Sequence, residues 1–113
     1  MIINCIIIDD EPLAINVIKN HLLEIDKVNI IDTFNSAIEA LNFLKENTID
    51  LIFLDINMPL LDGINFIKSL EIKPLIIITS AYDEYAVKTY ELEVLDYLVK
   101  PISFPRFLKA INR

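Results

Sequence analysis

Short apolar runs alternate along the chain with longer stretches whose apolar residues return every three or four positions. Residues 2–8 are apolar and largely β-branched, with Asn4 as the one polar break. Such a run is too short for a helix core and predicts a strand buried on both faces. Asp9-Asp10-Glu11-Pro12 ends it, and Pro12 suits the first turn of a helix, where its missing N–H costs nothing. Leu13, Val17, Ile18 and Leu22 then recur at helical spacing and predict an inward face. Asn16, Lys19, Asn20 and Glu24 form the wet side, and His21 beside them reads as a solvated helix histidine. Residues 28–33 predict a shorter strand flanked by charge, as an edge strand would be. Asn35 or Ser36 can cap a second helix that turns Ile38, Leu41 and Leu44 inward.

Residues 51–54 predict a third buried strand, with Asp55 directly after it. Asp62-Gly63 predicts a turn; a chain with one glycine keeps it where the backbone needs it. Ile64, Phe66, Ile67 and Leu70 support a third helix. Pro74 opens a fourth strand, 75–78, which ends at Thr79-Ser80. Asp83 can cap a helix over 83–93, and 94–99 predicts a fifth strand ending in Lys100-Pro101. Ser103 caps a last helix, 103–112, with Pro105 in its first turn. Strands alternating with helices in this way mean a parallel sheet covered on both faces. By flavodoxin-like precedent that is a (βα)5 three-layer sandwich with strand order 2-1-3-4-5. The 113 residues predict one domain spanning 1–113.

Composition narrows the function. A net charge of −7 argues against nucleic-acid binding by this domain, because phosphate contacts need a basic face. A lone cysteine, Cys5, inside the first apolar run cannot form an internal disulfide and fits a reducing cytoplasm. The first residues lack a signal peptide's basic start and cleavage site, and no apolar run approaches the ~20 residues of a membrane span.

The polar residues out of place are Asp9, Asp10, Asp55, Thr79 and Lys100. They fall at the carboxyl ends of the first, third, fourth and fifth predicted strands. Open α/β sheets bind ligands at that edge. Each has a plainer reading taken alone: a capping turn, a turn residue before Pro59, a β-branched strand end. Four strand ends agreeing at once make the pattern specific. A carboxylate ending a central strand is costly to place there, and Asp55 reads as a phosphate acceptor. Carboxylates converging in one crevice repel each other by about 1 kcal/mol per pair at ~4 Å in water and about 4 at an effective dielectric near 20. One lysine does not balance three of them. A hard divalent cation with oxygen ligands does, Mg²⁺ or alternatively Mn²⁺. It would draw a phosphoryl group toward Asp55 and neutralise charge during in-line transfer.

Across essentially its whole length the chain resembles the receiver domain of bacterial two-component response regulators. The residues carrying the resemblance are Ile6-Ile7-Ile8-Asp9-Asp10-Glu11, Leu54-Asp55-Ile56-Asn57-Met58-Pro59 with Gly63, Ile78-Thr79, and Asp96-Tyr97-Leu98-Val99-Lys100-Pro101. The resemblance implies that Asp55 takes phosphate from a phosphohistidine on a histidine kinase. Asp10 and Asp55 would ligand Mg²⁺ directly, Asp9 mainly through water, and the Asn57 carbonyl would complete the protein ligands. Thr79 would hydrogen-bond a phosphoryl oxygen and Lys100 would pair with the phosphoryl group, its bond to Pro101 being cis. Tyr97 matches an aromatic switch position. Ala81-Tyr82-Asp83-Glu84-Tyr85-Ala86-Val87-Lys88, followed by Leu95-Asp96-Tyr97, is similar to regulators with a LytTR-type DNA-binding domain. That implies transcription control through an effector domain beyond Arg113 and DNA contact through that domain alone. It also implies a homodimer through helix 83–93, strand 94–99 and helix 103–112. Ser80 departs from the family, where Ala or Gly is usual, and its hydroxyl reads as a loop cap.

Three other functions compete. A phosphohydrolase of the haloacid-dehalogenase type needs Asp-x-Asp on its first strand; here the second position is Asn57, after the third. A flavodoxin-like nucleotide binder needs a glycine- or hydroxyl-rich phosphate loop after strand one, where Asp9-Asp10-Glu11-Pro12 repels phosphate unless a metal intervenes. A receiver-like module that is never phosphorylated would be expected to lack an acceptor residue, and none is missing. The phosphoacceptor switch is therefore the reading, rather than a turnover enzyme.

Overall fold

The computed structural model describes residues 2–58, 61–71, 73–82, 86 and 92–113. Five strands form one parallel sheet: β1 (Ile3–Ile8), β2 (Val28–Phe34), β3 (Leu51–Asp55), β4 (Leu75–Ser80) and β5 (Asp96–Val99). Their order is β2-β1-β3-β4-β5, as expected by flavodoxin-like precedent. Four helices are described: α1 (Pro12–Leu22), α2 (Ala37–Leu44), α3 (Gly63–Lys68) and α4 (Phe104–Ile111). Among the described residues, no helix is long and apolar enough to cross a membrane.

The period of two along each strand divides the core into two layers. Cys5, Ile7, Leu51, Phe53, Ile77 and Leu98 point to one face and pack with Ile18 and Leu22 of α1 and Phe107, Ala110 and Ile111 of α4. Ile6, Ile8, Ile52, Leu54, Ile76 and Ile78 point to the other and meet Ala37 and Ala40 of α2 and Phe66 and Ile67 of α3. Burial in the first layer pushes the Cys5 thiol up to about 12, so it stays protonated and inert.

Capping side chains fix where three helices begin. Ser36, Asp62 and Ser103 each accept a hydrogen bond from the backbone N–H three residues on. Gly63 is required by close approach and not by a left-handed backbone. A Cβ there would lie 2.7 Å from Ile56 Cα and 3.0 Å from the Asp55 carbonyl oxygen. The start of α3 is thereby pressed against the backbone that carries Asp55. At the far edge, Asp96 receives both guanidinium nitrogens of Arg106, at 2.9 and 2.8 Å, and Arg113 Nε at 3.1 Å. Burial opposes its ionisation, but Arg106, the Tyr97 N–H and the Arg113 charge hold its carboxyl below the usual range. This pairing ties α4 to β5.

Several expectations are corrected. Leu13 and Val17 do not face inward; they are 79% and 39% exposed. Helix α1 meets the sheet through Ile18 and Leu22, a narrower stripe than its apolar content suggested. Ile38 of α2 is also exposed, and the buried contacts there are Ala37 and Ala40, whose small side chains let the helix lie close to the sheet. His21 is half-buried, not solvated: it bonds the Ile102 carbonyl and packs on Phe104 and Phe107. Strand β5 begins at Asp96, not Val94, and Glu93 cannot continue a helix because its φ is 59°. The rest of the predicted helix 83–93 lies, Ala86 and Leu92 apart, outside the described residues, with its Tyr85 and Lys88.

Candidate active site at the carboxyl edge of the sheet

Parallel strands end together, so their last residues share one crevice. Asp9 follows β1, Asp55 ends β3, Thr79 and Ser80 end β4, and Lys100 follows β5. Asp55 and Thr79 are register partners, and the Ile56 N–H donates to the Thr79 carbonyl at 3.1 Å. The Lys100 N–H donates to the Ser80 carbonyl at 2.7 Å, which fixes the lysine backbone at the rim. The Lys100–Pro101 peptide bond is cis. Asp9, Asp55, Thr79 and Ser80 are the buried polar residues among those described.

Lys100 Nζ sits 3.0 Å from Asp9, 3.2 Å from Glu11 and 3.8 Å from Asp55. Burial works against its charge, but hydrogen bonding to Asp9 and the fields of Asp55 and Asp9 hold its pKa above the ordinary value. Asp55 shows the converse. Burial and then the Asp9 charge push it up to about 7, against the pull of Lys100 and of the Asn57 N–H, which donates to Asp55 Oδ1 at 3.2 Å. One lysine leaves the site short of positive charge. Asp9 accepts the Glu11 N–H through Oδ1 at 2.9 Å, while its buried Oδ2 has no well-directed hydrogen bond.

One carboxylate oxygen from each of Asp9, Glu11 and Asp55 lies within 4.8 Å of the others. This donor set of hard oxygens, with one lysine between three carboxylates and the buried Asp9 Oδ2 lacking a well-directed hydrogen bond, fits a divalent cation. Asp10 is exposed and outside that group, and Asn57 is exposed beside it. Glu11 joins the group although the pattern of strand ends does not single it out. The signal available was its place as the third acidic residue in a row. Ser80 Oγ accepts the Tyr82 N–H at 3.0 Å, so its hydroxyl shapes the loop. Tyr97 is half-buried, and its hydroxyl donates to the Tyr82 carbonyl across that same loop.

Comparison with known proteins agrees with this geometry. The family model described as the response regulator receiver domain matches residues 5–112. The sensory transduction protein LytR of Staphylococcus haemolyticus is 41% identical over 111 residues, which cover 96% of this chain and 43% of that protein. The transcriptional regulatory protein BtsR of Escherichia coli K12 is 36% identical over 113 residues, covering 98% of this chain and 47% of that protein. The chain thus spans less than half the length of these relatives. The response regulatory domain of protein mrkE from Klebsiella pneumoniae superposes with a TM-score of 0.89 at 34% identity, covering 96% of this chain and 92% of that one. A crevice of carboxylates facing one lysine, on a 2-1-3-4-5 sheet, belongs in this family: the chain is a receiver domain of the two-component response regulators.

Proposed function

We propose that Asp55 is the phosphoacceptor and that the donor is a phosphohistidine on a histidine kinase. The observation that carries this is the placement of Asp55: buried at the end of the central strand, 3.8 Å from Lys100 and beside Asp9. An Asp55 carboxylate oxygen attacks phosphorus as the P–N bond of the donor breaks. The leaving imidazole keeps the electron pair and takes up a proton. Lys100 meets the charge on the transferring oxygens, and the Thr79 hydroxyl donates to one of them. Asp9, Asp10, Glu11 and Asp55, with the Asn57 carbonyl, are the residues available to hold Mg²⁺. When bound, the cation supplies charge neutralisation between these carboxylates and the phosphoryl group. The domain acts as a switch and not as a turnover enzyme.

Phosphorylation changes the output face through Thr79 and Tyr97. Drawing the Thr79 hydroxyl toward the phosphoryl group alters the loop that the Tyr97–Tyr82 bond spans, and two states a few kcal/mol apart are enough for such a shift. The exposed Val99 and Leu108 support a homodimer face made of strand 94–99, helix 103–112 and helix 83–93. By analogy with LytR and BtsR, the output is transcription control in the cytoplasm through a LytTR-type effector domain. Calorimetry tests the site. Millimolar Mg²⁺ raises the melting temperature by several degrees, since binding at 100 Kd is worth about 2.7 kcal/mol. Beryllofluoride raises it further only with Mg²⁺ present, and Asp9→Asn loses most of both gains. A wild-type melting curve unmoved by either addition contradicts the cation and phosphoryl site.

A further inference from the structure

His21 lies on the last turn of α1, at the end of that helix away from Asp9 and Glu11. Its Nε2 is 2.7 Å from the carbonyl of Ile102, 81 residues away in the chain. A carbonyl only accepts, so Nε2 carries the proton and donates. The ring is braced by Phe104 and Phe107, with centroids 5.6 and 5.2 Å away. Ile102 is two residues past Lys100, and its side chain is buried in the core layer under α1. The segment from Lys100 to Ile102 and helix α1 form the two walls of a groove lined by Leu13, Val17, Pro101 and Ile102. Lys100 bonds across its mouth to Asp9 and Glu11. His21, one helical turn beyond Val17, bonds the same segment at Ile102. The Lys100 backbone itself is tied from the sheet side, at Ser80.

We infer that His21 is a positioning residue: by holding the Ile102 carbonyl it fixes the segment that aims the Lys100 ammonium at Asp55. The inference rests on the receiver reading, since the aim of Lys100 matters only if a phosphoryl group arrives there. A loosened segment leaves the carboxylates in place, because they stand on β1 and β3. The variants therefore separate the phosphoryl mimic from the metal. His21→Phe keeps the ring against Phe104 and Phe107 and removes the donor. His21→Gln removes the ring and keeps an N–H that can reach the carbonyl.

Titration calorimetry of the intact domain measures Mg²⁺ alone, then beryllofluoride at saturating Mg²⁺. His21→Phe weakens beryllofluoride about fivefold, the effect of one net hydrogen bond, and leaves Mg²⁺ affinity unchanged or slightly tighter. His21→Gln stays near wild type in both. Beryllofluoride binding by His21→Phe equal to wild type overturns the inference. So does a parallel loss of Mg²⁺ and beryllofluoride affinity, or a loss of beryllofluoride affinity in His21→Gln as large as in His21→Phe. A wild type that takes up no beryllofluoride overturns the receiver reading itself and this inference with it.

Discussion

Asp55→Asn stabilises the metal-free domain at pH 8 by about 2–4 kcal/mol, and the gain vanishes as the pH is lowered to about 4. Burial and Asp9 raise Asp55 from the usual 3.8 to about 7. The folded state therefore holds a proton that the unfolded chain has already released. A group raised in this way contributes stability in full below its unfolded value, and that contribution is lost as pH rises through the folded one. Wild type thus loses stability between about pH 4 and pH 7. Asparagine has nearly the same shape and no charge to lose. In a domain of this size the gain corresponds to a rise of about 10 °C in melting temperature. Melting curves in chelator across pH 4–8 measure it. An asparagine variant less stable than wild type at pH 8 would mean that Asp55 is not strained by its neighbours.

Lys100→Ala moves stability the other way. Its ammonium is the counter-charge of Asp9, which is buried and has an oxygen without a well-directed hydrogen bond. Removing one partner of a buried pair leaves the other uncompensated, at a cost of about 3 kcal/mol. In chelator at pH 8 the variant melts well below wild type. Mg²⁺ recovers most of the difference, because a second positive charge then serves the same carboxylates. Phosphorylation does not recover to the same extent. Lys100 is the cationic side chain paired with these carboxylates among the described residues, and without it the rate falls about 100-fold. Initial rates of mass gain under excess acetyl phosphate measure this. Wild-type stability in chelator together with a wild-type rate would remove Lys100 from the account.

The strands were legible because parallel strands buried on both faces are nearly continuous apolar runs, and the residues that break them are the site. Asp9, Asp55, Thr79 and Lys100 stand out for that reason. Helix faces were less legible. Leu13 and Val17 share the period of Ile18 and Leu22, and periodicity alone does not say that a helix on a flat sheet buries only a narrow stripe. Ala37 and Ala40 carry too little hydropathy to mark a buried face, yet close approach is what their size permits. The burial of His21 is not legible because its partner is a backbone carbonyl 81 residues away, and a main-chain acceptor leaves no trace in the residue pattern. Glu11 enters the carboxylate group through the fold of the turn after β1, which brings its N–H onto Asp9.

Intact mass spectrometry after incubation with Mg²⁺ and acetyl phosphate tests the acceptor assignment most directly. In this reaction an Asp55 oxygen displaces acetate at phosphorus, so wild type gains one phosphoryl mass. Chelator prevents the gain, and Asp55→Asn, folded by its melting curve, shows none. Full modification of the asparagine variant under the same conditions, or no modification of wild type, contradicts the account.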